Sequence, residues 1–191
     1  MSFVTFFQKL IFRLIQFLRF ILNPTSLSQT LKLKENRLVD VGVYFGIIDF
    51  IISIILWFLT EITEKYGLFS PLNTKKDFYY SITETVIIGI FIAPIIEEFI
   101  FRYPLKFFAT KKYFKWMLYI ICLIFGLIHL DNYIIDNSHL LFAPLIVIIQ
   151  IYGAFMFGFI RISYGFWYGV LLHMIHNSWS LIWKYTIGFD L

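Results

Sequence analysis

Two adjacent glutamates, Glu97 and Glu98, sit inside the apolar run 86–101, and Arg102 follows one position beyond it. An ionisable side chain at bilayer depth costs roughly 2.5–3.5 kcal/mol on insertion scales, so three of them within six positions signal a site rather than filler. Helical spacing divides their work. Glu98 and Arg102 are four apart with the acid N-terminal, the favourable order for an ion pair on one helix face. Glu97 lies about 100° round the helix, without a local counter-charge, in the position of a general base or acid. On a solvated helix the same pattern would carry no meaning. Here Ile95, Ile96, Phe99, Ile100 and Phe101 surround it, which is inconsistent with a solvated face.

Two further apolar stretches end in groups that carbonyl chemistry uses: Phe125-Gly126-Leu127-Ile128-His129 and His173-Met174-Ile175-His176-Asn177. Counted from the Lys111-Lys112 turn, Glu97 is 14 residues before Lys111 and His129 is 17 beyond Lys112. At about 1.5 Å per residue, both lie roughly 20–26 Å from the turn, and His173, counted from Arg161, lies about 18 Å deep. Three neighbouring helices would therefore carry these groups at one level. His173 and Asn177 share a face and both can donate hydrogen bonds, whereas His176 points about 60° away and reads as a satisfied core histidine. Peptide hydrolysis needs a base for water and donors for the developing oxyanion, and this set contains both. A covalent mechanism fits less well. No serine shares these faces with a histidine and an acid in nucleophile order, and Cys122 lies seven residues before His129 on the same span. A zinc site on helices commonly uses histidines four apart, but the four-apart partner of His173 is Asn177, a poor ligand. No metal or other cofactor is expected, although Glu97, His129 and His173 leave a mixed metal site open. Polar groups deep in an apolar chain also suit a proton relay in a small transporter or a non-catalytic membrane binder. Hydropathy displays no inverted repeat to favour the transporter.

The elements that must position these residues are apolar helices. The 191-residue chain is 60% hydrophobic, and several stretches reach the roughly 20 residues that cross a bilayer, which predicts an all-α, polytopic membrane helix bundle. The predicted spans are 41–60, a second beginning near Ser81, 116–130, 140–160 and 164–187. Asp49, alone in the first of these, is expected to pair with a neighbouring helix. Pro94 should kink the second span just before the acids and free backbone groups near the site. Ala154 and Gly158, like Gly165 and Gly169, are four apart and read as packing positions. Residues 3–22 carry Gln8, Lys9, Arg13, Gln16 and Arg19 in one sector, which predicts an in-plane interfacial helix rather than a cleaved signal peptide. The chain therefore divides into 1–40, an amphipathic helix with a basic linker carrying Lys32, Lys34 and Arg37, and 41–191, the transmembrane domain. One cysteine excludes a disulfide framework, and a net charge of +4 placed in short loops reads as topology, not nucleic-acid binding. The basic loops are expected on the cytoplasmic side of a cell membrane and 131–138, which has no Lys or Arg, on the outer side.

Taken together, Glu97-Glu98-x-x-x-Arg102, Phe125-x-x-x-His129 and His173-x-x-x-Asn177, in that order on separate apolar helices, resemble the signature of the CAAX-protease and bacteriocin-processing family of intramembrane glutamic endopeptidases. The resemblance spans roughly residues 81–180. It implies an all-helical membrane protease in which Glu97 and His129 match the pair that activates water, His173 and Asn177 match the oxyanion donors, and Glu98 with Arg102 matches the supporting pair. Its implied partners are the lipid bilayer and a peptide or protein substrate. The chain is shorter than the eukaryotic CAAX enzymes, so the resemblance does not extend to a prenylated substrate. It leaves open a metal-dependent or non-catalytic role in bacteriocin immunity or processing.

Overall fold

The computed structural model describes residues 3–24, 36–75 and 81–187. Most of the basic linker, including Lys32 and Lys34, lies outside the described residues. Helix α1 (Phe3–Leu22) is followed by α2 (Arg37–Lys65), α3 (residues 82–102), a short α4 (Leu105–Phe108), α5 (Phe114–Ile128), α6 (Asn137–Leu140), α7 (Ala143–Ile146), α8 (Ile148–Ser163) and α9 (Phe166–Ile187). Two-residue strands β1 (Asn73–Thr74) and β2 (Tyr133–Ile134) pair antiparallel, joining the loops that follow α2 and α5. The architecture is the all-α bundle expected. Among the described residues, Arg37–Lys65 and Phe114–Asn132 are the helices both long and apolar enough to cross a membrane.

Helix α8 is the axis of the bundle, with Tyr152, Ala154, Met156, Phe157, Phe159 and Ile160 all buried. It packs on α5, α9 and α2. Small residues set these distances: a Cβ on Gly126 would stand 2.3 Å from Ile151, and one on Gly158 would stand 3.2 Å from Leu118. The outer surface is apolar instead. Ile51, Ile55, Phe58 and Ile62 form an exposed stripe at helical spacing along α2, and Ile88, Phe91, Ile95 and Phe99 do the same on α3. Exposed apolar area on that scale marks surfaces that meet a membrane or another protein.

The helices depart from the sequence pattern in two places. The span expected over 140–160 is broken into α6, α7 and α8, because Pro144 has no N–H to continue a helix and Val147 leaves helical geometry at φ −104°, ψ 28°. Arg13, which belongs by spacing to the solvent-facing sector of α1, turns inward. It is buried and makes a bidentate contact with buried Asp40 at 2.8 and 2.7 Å, while Ile11, Ile15, Leu18 and Leu22 face outward. An arginine in an apolar helix is tolerated where a carboxylate pairs with it.

The two ends of the bundle differ in chemistry. At one end Ser70, Asp136, Ser138 and His139 interlock, and Lys75 pairs with Asp131. His139 there is a tie and not a base. Its Nε2–H donates to Ser70 O at 2.9 Å, and its Nδ1 accepts from Asp136 N at 3.0 Å. Asp136 takes hydrogen bonds from Ser138 and Ser70, which hold its carboxyl well below the usual range. At the other end, Lys115 donates to Leu22 O, and Arg161 donates to the carbonyls of Arg102 and Tyr103. Gly165, at φ +112°, makes the tight turn from α8 into α9 that other residues would adopt only with strain.

Candidate active site

The local construction of α3 explains where its acids point. Ser81 and Glu84 form a reciprocal capping box that starts the helix, with Ser81 N donating to Glu84 Oε2 at 2.7 Å. Residues 87–92 are wound more widely than an α-helix, so that Ala93 N bonds Ile88 O, five residues back. In that register the next donor would serve Gly89 O, and the next residue is Pro94, which has none. Asn177 of α9 supplies the missing donor: its Nδ2 reaches Gly89 O at 2.7 Å. The proline thus frees a carbonyl about two helical turns before the acids, and the asparagine four positions beyond His173 anchors α9 to it. Asparagine has a second amide hydrogen, which stays available.

Glu98 and Arg102 are both fully buried, with Arg102 Nη1 3.6 Å from Glu98 Oε1. The guanidinium also lies over the Phe125 ring at 3.7 Å, a cation–π contact that compensates part of its lost hydration. Glu98 Oε1 meets His173 Nδ1 at 3.1 Å, a bond between helices that spacing along either one does not reveal. Gly169, one turn before His173, admits that carboxylate, since a Cβ there would lie 3.1 Å from Glu98 Oε2. Its spacing from Gly165 marks Gly169 as a helix-packing position, yet the neighbour it accommodates is a charged group.

Glu97 is partly accessible, with its side chain 27% exposed, and its Oε2 stands 3.6 Å from His173 Nε2. His173 is therefore flanked by both glutamates, one at each ring nitrogen, and its face stacks on Phe157 at 4.3 Å between centroids. The ring contact of Glu97 is with His173 and not with His129. His129 sits at the C-terminal end of α5 with Nδ1 bonded to Phe125 O at 2.7 Å, which makes Nδ1 the donor and leaves Nε2 as an acceptor. His129, His173 and Asn177 line one cavity of about 210 Å³, together with Gln150 from α8. Glu97 is not among its lining residues and adjoins it through His173.

The same cavity is lined by His176. As expected for a satisfied histidine, its Nδ1 is bonded at 2.9 Å to a carboxylate, and the partner is the buried Asp49 of α2. Spacing along α9 does not show that this ring also borders the cavity; the signal is its position only about 60° round from His173. Cys122 is buried within the core, in no position to act as a nucleophile. Among the described residues no three His, Cys, Asp or Glu side chains converge as metal ligands.

Residues 80–179 match the family model described as type II CAAX prenyl endopeptidase Rce1-like, a stretch that runs from the cap of α3 to just past Asn177. No curated protein matches the chain, and no solved structure matches it.

Proposed function

The chain belongs to the Rce1-like family of type II CAAX prenyl endopeptidases and is a membrane-embedded protease, and from that premise we propose that it hydrolyses peptide bonds of membrane-associated substrates with a water activated by Glu97 and His129. The observation that carries this reading is the contact of both glutamates with one histidine, His173, at the wall of a cavity that His129 and Asn177 also line. In the proposed mechanism Glu97 takes a proton from water as the oxygen attacks the scissile carbonyl. His129, its Nδ1–H held by Phe125 O, presents Nε2 to the same water. A positioned base of this kind contributes about 10²–10⁴-fold.

Oxyanion stabilisation follows from the same proton transfer. Glu98, buried and paired with Arg102, accepts the Nδ1–H of His173 and fixes the ring. In this proposal the carboxylates at the two ring nitrogens hold a second proton on the reacting ring, at Nε2 facing Glu97. While Glu97 is charged it competes for that Nε2–H. Once protonated it releases the donor to the developing oxyanion, beside the second amide hydrogen of Asn177. One such donor is worth about 10²–10³ in kcat. We assign the protein to a cell membrane with several passes, the exposed apolar stripes of α2 and α3 supporting the placement.

The test is cleavage of a quenched fluorescent peptide library by the full chain in lipid nanodiscs, wild type against Glu97→Gln. Cleavage that disappears in the variant is the expected result. Equal cleavage by the two proteins would overturn the assignment of the base, and no cleavage by wild type would overturn the reading as a whole.

A further inference from the structure

Hydrolysis of an amide makes one further demand. The leaving nitrogen is too basic to depart without a proton, and Glu97, which gains one from water, is not among the residues that line the cavity, so a group facing the cavity is better placed to deliver it. His173 has one glutamate at each ring nitrogen, and His129 donates its Nδ1–H to its own helix. His176 is differently placed. Its Nδ1 is held by the carboxylate of Asp49, and its Nε2 is left for the cavity that the ring lines. Phe157 orders both rings, stacked on His173 and edge-on to His176 at 5.5 Å.

Asp49 is well suited to hold that ring. At 1% exposure it is fixed within the bundle, on a different helix from the histidine it orients, and it compensates the charge of an imidazolium. Behind the pair, Asp49 and Ser53 line a second cavity of about 20 Å³ that also touches His176 and Ser180. A carboxylate that fixes one imidazole nitrogen while the other faces the reacting group is the arrangement that general acid–base histidines use.

We propose that the Asp49–His176 pair is the general acid of the hydrolysis, with His176 Nε2 delivering the proton to the leaving amine and Asp49 positioning the ring. The proposal rests on the hydrolytic reading above. Water oxygen bonds to the carbonyl carbon and one of its protons passes to Glu97. The C–N bond then breaks, nitrogen keeps the electron pair and takes the proton from His176, and a carboxylic acid and an amine result. The proton on Glu97 returns to His176, directly or through cavity water, restoring both groups.

The experiment compares two substrates of identical acyl peptide, one with the scissile amide and one with an aryl ester whose phenolate leaves without a proton. His176→Gln should lower kcat on the amide by about 10²–10⁴-fold while the ester loses far less, so that the amide-to-ester ratio falls about a hundredfold or more. Asp49→Asn should lower the ratio in the same direction by a smaller factor, and it supplies the same readout if His176→Gln does not fold, as judged by its melting curve. Equal losses on both substrates in either folded variant would overturn the acid role and leave the pair as a tie between α2 and α9. A wild-type protein that cleaves the ester but not the amide would overturn it too. Cleavage of neither substrate by wild type would overturn the hydrolytic reading and the acid role with it, an outcome distinct from the unchanged ratio.

Discussion

Replacing Glu98 with glutamine removes one charge from a site where nothing else can replace it. Glu98 is 0% exposed and Arg102 is 1% exposed, and the Arg102 Nη1 and Nη2 atoms are buried without hydrogen bonds of their own. The guanidinium is therefore compensated by the Glu98 charge at 3.6 Å and by the Phe125 face at 3.7 Å. The cation–π contact, worth about 2 kcal/mol when desolvated, survives the substitution. Breaking a buried pair by removing one partner costs about 3–5 kcal/mol, because the remaining charge stays buried. For a chain of this size 1 kcal/mol corresponds to about 2–4 °C, so Glu98→Gln should lower Tm by roughly 6–20 °C. Glu97→Gln, at a partly exposed position without an ion pair to arginine, should change Tm by only a few degrees while abolishing turnover. The assay is thermal unfolding of the purified proteins in nanodiscs, with the double variant Glu98→Gln/Arg102→Met as the control. Removing both charges should recover most of the lost stability. If Glu98→Gln melts with wild type and Glu97→Gln is the variant that unfolds, the roles of the two acids are reversed.

Gly169→Ala would put a methyl 3.1 Å from Glu98 Oε2, and because His173 and Arg102 hold that carboxylate the strain should cost about 1–3 kcal/mol in Tm measurements and reduce turnover with it. Pro94→Ala restores an N–H that competes with Asn177 for Gly89 O; turnover should fall while Tm holds or rises, and a lower Tm with unchanged turnover would refute this account of the proline. Asp40→Asn leaves Arg13 buried without its carboxylate and should destabilise by about 3–5 kcal/mol, with Arg13→Met in the same chain recovering most of it. Asp136 has its folded-state carboxyl held below the usual range by Ser138 and Ser70, so the loop clasp is fully stabilised above about pH 4 and is lost as pH falls through the depressed folded value. The protection factors of the Ser70 and Ser138 amides, taken against the intrinsic exchange rate at each pH, should fall on acidification, and Asp136→Asn should remove that dependence. Asn137→Cys, on the exposed start of α6, should react with an impermeant thiol reagent from outside intact cells; labelling only after permeabilisation would invert the topology.

Much of this protein is a matter of local spacing, and local spacing is readable. Alternation of apolar runs with short charged loops determined the all-α membrane class, and the start of α3 near Ser81 was readable from the same pattern. Four-residue spacing put Glu98 on the face of Arg102, and counting along each span set Glu97, His129 and His173 at one depth. Pro94 also acted as its chemistry requires, although the carbonyl it frees and the side chain that satisfies it became visible only across the helix boundary. Contacts between helices were not readable in the same way. His173 bridging Glu97 and Glu98, His176 reaching Asp49 across 127 positions, and Arg13 turning toward Asp40 all depend on how far each helix is rotated about its own axis. The hydrophobic pattern leaves that rotation open, because lipid and protein interior are both apolar and an outward-facing isoleucine looks the same in sequence as an inward-facing one. Rotation is settled where small residues let particular neighbours approach, at Gly126 against Ile151, Gly158 against Leu118 and Gly169 against Glu98, and only packing selects which small residue meets which neighbour.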